Sequence, residues 1–160
     1  MPRIITQTAY TIGEHPNPER VFDWIRSHWH DLGDFALQEM VNSLRAFASH
    51  IGARLDYSIS ISPDRGEFIR FDVDSSEKSR FKGIDLSGNC PLTGMCYDED
   101  ILDAIRESTP YDSLSDILGD VEYRVLKTLH NEGEYIYSNE GLKEMCEANE
   151  YEFLESGEAV

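Results

Sequence analysis

Of 160 residues, 40% are hydrophobic, 11% aromatic and 28% charged, a balance that suits a folded globular chain and argues against wholesale disorder. The 31 acidic residues outnumber the 14 basic ones and leave a formal net charge of −17. That surplus excludes nucleic acid and anionic membranes as expected direct partners.

The chain is short enough to be read as a single domain over 1–160, and folding at this length buries roughly 68 to 70% of the surface the unfolded chain exposes. Met1 to Tyr10 lack the basic start and apolar stretch of a secretory signal, and no apolar run is long enough to cross a bilayer. A cytoplasmic location is therefore expected. Cys90, Cys96 and Cys146 are an odd set at no framework spacing, which predicts free thiols.

Arg3 to Ile12 is rich in β-branched residues and predicts a strand, broken by His15 to Pro18. Apolar residues at three- and four-residue spacing then predict two helices. The first carries Val21, Trp24, Ile25, His28, Trp29 and Leu32; the second carries Leu37, Met40, Val41, Leu44, Phe47, Ala48 and Ile51. Gly33 separates them and Gly52 ends the second. From Arg54 the period becomes two, with Leu55, Tyr57, Ile59 and Ile61 on one face. Pro63 to Gly66 reads as a turn, and Glu67 to Val73 alternates again, so the two runs predict an antiparallel hairpin whose apolar face the two helices cover. Residues 75–97 show little periodicity and predict an irregular loop.

Helices are predicted over Asp98 to Glu107, Ser113 to His130 and Asn139 to Asn149. The acidic tail, about 150–160, either adds a short edge strand through Tyr151 and Phe153 or stays loose. The fold class is thus α+β: a small antiparallel sheet of N-terminal strand plus hairpin, covered by helices, ahead of a mainly helical acidic C-terminal half.

No motif for catalysis is present. The chain has neither a G-x-S-x-G elbow, nor a cysteine-protease signature, nor a phosphate-binding glycine loop, so no catalytic residue and no cofactor are assigned. Paired carboxylates leave no local signature, which keeps a small enzyme as an alternative. On a helix, His28 and His30 point to different sides, and Cys90 and Cys96 are spaced too widely for a zinc pair. Asp98 to Asp100 with Asp103 lack the calcium-loop pattern and read as a solvated helix start, so no metal site is assigned.

What stands out is where the acid lies. Residues 1–84 hold 12 acidic and 10 basic side chains, whereas residues 85–160 hold 19 and 4. On the predicted helices Glu99, Asp103 and Glu107 fall four apart, as do Asp116 and Asp120, and Glu140 and Glu144, with Glu147 three further on, and Glu150 opens the acidic tail. Like charges at this spacing destabilise a helix by roughly 0.2 to 0.5 kcal/mol per pair, so the helices gain nothing from them. Helix caps explain some, Ser113 to Asp116 being an Asp version of the capping box, and solubility is the plain account of the rest. The functional account makes these nine residues a partner-binding surface, their carboxylates imitating duplex phosphates toward a basic nucleic-acid-binding protein.

Three stretches, T-Q-T-A-Y-T-I-G-E (Thr6 to Glu14), C-P-L-T-G-M-C-Y-D-E-D-I-L-D (Cys90 to Asp103) and A-N-E-Y-E-F-L-E-S-G (Ala148 to Gly157), resemble small acidic proteins encoded by phages and prophages. The resemblance implies a protein made in a bacterial host cell that inhibits a defence system of CRISPR or restriction type by binding a nucleic-acid-binding host complex. It carries over no catalytic residue. An antitoxin that binds a basic toxin is the alternative within the binding class.

Overall fold

The computed structural model describes residues 7–61, 66–74, 78–88, 90–94 and 97–160. Among these the protein is α+β, as expected, with five helices and two antiparallel sheets of two strands each. The chain divides into two compact units, Met1–Leu32 with Glu134–Val160, and Gly33–Gly133. The chain passes from one unit to the other at Leu32–Gly33, between two helices, and again at Gly133–Glu134, inside a third.

The first unit is built from both chain ends. Strand β1 (Ala9–Thr11) pairs with β4 (Glu152–Leu154), placing Tyr10 opposite Phe153. Helices α1 (Pro18–His28) and α5 (Asn139–Ala148) pack on each other. Ile12, Val21, Phe22, Ile25, Leu142, Cys146 and Phe153 form its core, with Trp24 and Trp29 half-buried against it. Phe153 is fully buried, which is why the tail takes the strand alternative rather than staying loose. His15 is buried beside this sheet: Asn17 N–H donates to its Nδ1 (3.1 Å), so the ring proton sits on Nε2 and is donated to the Leu154 carbonyl (2.9 Å).

The second unit holds α2 (Asp34–Ile51), β2 (Arg54–Ser58), β3 (Phe68–Asp72), a 3₁₀ turn (Lys78–Phe81), α3 (Asp98–Arg106) and α4 (Leu114–Ile136) up to Gly133. Gly52 takes the left-handed conformation (φ +64°) that ends α2, and the Ala53 N–H closes the turn on the Ala48 carbonyl. Strands β2 and β3 form the expected hairpin, with Leu55 opposite Phe71 and Tyr57 opposite Ile69. Phe71 lies edge-on to Phe47 of α2, at 5.4 Å, so α2 covers the hairpin.

The expected single sheet is corrected. The N-terminal strand pairs with the C-terminal tail, not with the hairpin, because alternation marks a strand without choosing its partner. Accordingly α2 alone of the first two helices shares the hairpin's unit, α1 belonging to the other. Residues 3–6 of the expected first strand and 63–65 of the turn lie outside the described residues, as does Cys96.

Candidate binding surface

The nine predicted surface residues divide between the units. Glu99, Asp103, Glu107, Asp116 and Asp120 belong to the second, on or just after α3 and near the start of α4. Two arginines meet four of these acids. Arg106 contacts Glu99 (2.7 Å) and Asp103 (3.0 Å), while Arg124 of α4 contacts Asp120 (2.8 Å) and reaches Glu107 just past α3. Hydrogen bonds donated to Glu99 and Asp103 raise the pKa of Arg106, and those donated to Glu107 and Asp120 raise that of Arg124. Asp116 has another task. Its carboxylate accepts from Ser113 N–H (2.8 Å) and the Ser113 hydroxyl accepts from Asp116 N–H (3.1 Å), the reciprocal cap expected at the start of α4.

Glu140, Glu144, Glu147 and Glu150 belong to the first unit. Helix α5 starts at Ser138, whose hydroxyl accepts from Gly141 N–H (3.0 Å), and carries the first three on an exposed face. Glu144 accepts from the Tyr135 hydroxyl, and Glu147 lies 3.8 Å from Lys143. Glu150 follows the helix in the left-handed region (φ +54°). Glu152, Glu155 and Glu158 continue the exposed acid through β4 and beyond. Among the described residues no arginine or lysine pairs with Glu140, Glu150, Glu152, Glu155 or Glu158.

Sequence reading missed the role of Asp98, and the solvated helix start is corrected there. Asp98 is fully buried and accepts from the Ser43 hydroxyl (2.6 Å), the backbone N–H groups of Leu92 and Thr93 (both 2.8 Å) and the Thr93 hydroxyl (2.9 Å). It fastens the irregular segment to α2. Arg106 holds the same segment from another side, donating to the carbonyls of Leu86 (2.8 Å) and Gly88 (3.1 Å). Asp100 is half-buried, and desolvation raises its carboxyl pKa. Apart from the 3₁₀ turn at Lys78–Phe81, the described residues between β3 and α3 form no helix or strand, and these side chains tie them down.

Cys146 is a free thiol, and burial pushes its pKa up to about 11. A thiol so raised is protonated and inert at neutral pH. His28 stacks on Trp24 (4.6 Å between centroids) and bonds the Trp24 carbonyl through Nδ1, an arrangement within one helix. Among the described residues no three His, Cys, Asp or Glu side chains gather as a metal site would require, and no helix is long and apolar enough to cross a membrane.

What separates the two acidic faces is therefore neutralisation. Of the predicted acids, Glu99, Asp103, Glu107 and Asp120 are tied to arginines and Asp116 to a cap, whereas along and beyond α5 and β4 seven exposed glutamates share one lysine. No protein-family model, curated protein or solved structure matches this chain.

Proposed function

We propose that this protein is an inhibitor that acts by binding. It offers the carboxylates of α5 and β4 to the basic surface of a nucleic-acid-binding complex, and the resemblance to phage-encoded acidic proteins makes that complex a host defence system of CRISPR or restriction type. One observation carries the reading: Glu140, Glu144, Glu147, Glu150, Glu152, Glu155 and Glu158 are exposed, with Lys143 the single basic residue from 134 to 160. Glutamates one helical turn apart stand about 5 to 6 Å from each other, a spacing that a groove built for phosphates can accept. Helix stability accounts for Glu140 in the first turn of α5, but not for Glu144, which meets like charge at Glu140 and Glu147, and the remaining glutamates from Glu150 onward lie beyond the helix.

The arginine-bound acids of α3 and α4 contribute less to binding. A partner's lysine would have to displace Arg106 or Arg124 before it could pair there, whereas at Glu140 or Glu150 it displaces water.

The test is plating efficiency of a phage on hosts with and without each defence system. The wild-type protein should restore plating on one defended host, and a variant with Glu140, Glu144, Glu147 and Glu150 all changed to Gln should not. Equal plating with and without the protein on every defended host would overturn the reading. Capture of one small basic protein, with no effect on plating, would replace it with the antitoxin reading.

A further inference from the structure

We propose that this surface selects arginine over lysine in its partner, through an aromatic row that runs from the end of α1 to the residue before β4. The inference rests on the acidic-surface reading and names the side chain that surface takes. Trp24 meets Trp29 edge to face at 5.9 Å, and Trp29 meets Tyr151 the same way at 5.1 Å. Both tryptophans are half-buried against the first unit's core, so the row is anchored, and Tyr151 is 39% exposed. The Tyr151 N–H donates to the Cys146 carbonyl (3.1 Å), which fixes the ring at the end of α5. In the chain Glu150 and Glu152 flank it, and Glu147 lies one turn earlier.

Exposed aromatic rings take either nucleobases or cations, and the surrounding charge decides between them. Met1–Leu32 and Glu134–Val160 together hold 12 acidic and 4 basic residues, so a phosphate backbone is repelled here and a cation is drawn in. The nearby arginine does not fill the row. Arg26 is spent on the Tyr137 carbonyl, Asn139 and Asp23. His28 already lies flat on Trp24, which leaves Trp29 and Tyr151 to a partner. A guanidinium can lie flat on a ring while its N–H fork takes a carboxylate, and a compact ammonium cannot do both. An arginine stacked on an exposed ring gains about two- to five-fold in affinity from the contact.

The two tryptophans of the row are the only two in the chain, so its fluorescence reports this site alone. Titration at low salt with oligo-arginine and oligo-lysine peptides of equal length is the experiment. Oligo-arginine should bind more tightly and change the tryptophan emission. Tyr151→Leu, which keeps the charge and apolar bulk, should remove the preference and leave oligo-lysine binding intact; Tyr151→Phe, which keeps the ring, should retain it. Equal binding of the two peptides, with unmoved emission and a silent Tyr151→Leu, would overturn the inference and leave the acidic surface standing. Failure of both peptides to bind would overturn the acidic surface itself.

Discussion

At the scale of single residues, Asp98 shows how much one buried carboxylate can organise. It accepts four hydrogen bonds from Ser43, Leu92 and Thr93, so the buried carboxyl group is satisfied by oriented donors. Asp98→Ala removes the acceptor and orphans those donors. It should lower stability by about 2 to 4 kcal/mol in urea unfolding, since each stranded buried donor costs on the order of 1 to 3 kcal/mol and some will find water. Two glycines of α4 make an opposing pair. A Cβ on Gly133 would run into the Ile61 carbonyl oxygen, whereas at Gly119 nothing lies within 4 Å. Gly119→Ala should therefore stabilise by about 0.5 to 1 kcal/mol through helix propensity, and Gly133→Ala should destabilise despite the same propensity gain. Thermal or urea midpoints of the two variants check both signs.

At the scale of elements, α4 begins and continues for different reasons. It begins at the reciprocal cap between Ser113 and Asp116, legible in the sequence as S-L-S-D. It continues past His130 to Ile136, beyond the expected end, because Gly133 is there to admit the Ile61 carbonyl and not to stop the helix. The cap has a pH signature. Hydrogen bonds from Ser113 lower the pKa of Asp116 below its ordinary value of 3.8, so its contribution is complete above that value and is lost as pH falls through the lower folded one. Asp116→Ala should thus unfold at lower urea than wild type at pH 7, and the gap should close in acid. Asp100 has the opposite sign. Burial raises its pKa, so the charged form opposes folding at neutral pH and the penalty fades as pH falls through the raised value. Asp100→Asn should raise the urea midpoint at pH 7 and make little difference in acid.

On the scale of the whole molecule, the charge is uneven in its pairing as well as in its amount. Four acids of the α3 and α4 stripe are ion-paired to two arginines, so Glu107→Lys with Asp120→Lys would set two cations against Arg124 and should lower stability. By contrast, Glu140→Lys with Glu150→Lys lies on the unpaired face and should leave stability within about 0.5 kcal/mol while weakening partner binding. Comparing urea midpoints and binding for the two double variants checks the distinction. Binding by the α5 and β4 face should also weaken steeply with added salt, because exposed charges are screened within about 10 Å at 0.1 M.

The sequence by itself determined what depends on neighbours along the chain. Periodicity marked α1, α2, α3, α5 and the β2–β3 hairpin, the S-L-S-D run marked a cap, and the residue count marked where acid gathers. Only the tertiary structure decided what depends on residues far apart. It joined β1 to β4 across most of the chain, buried Asp98, set Arg106 and Arg124 against one half of the predicted acidic surface, and brought Tyr151 to Trp29. The physical reason is common to all four. A carboxylate or a strand looks the same in the sequence whether or not it has a partner, and the partner is chosen by packing between segments that no local spacing relates.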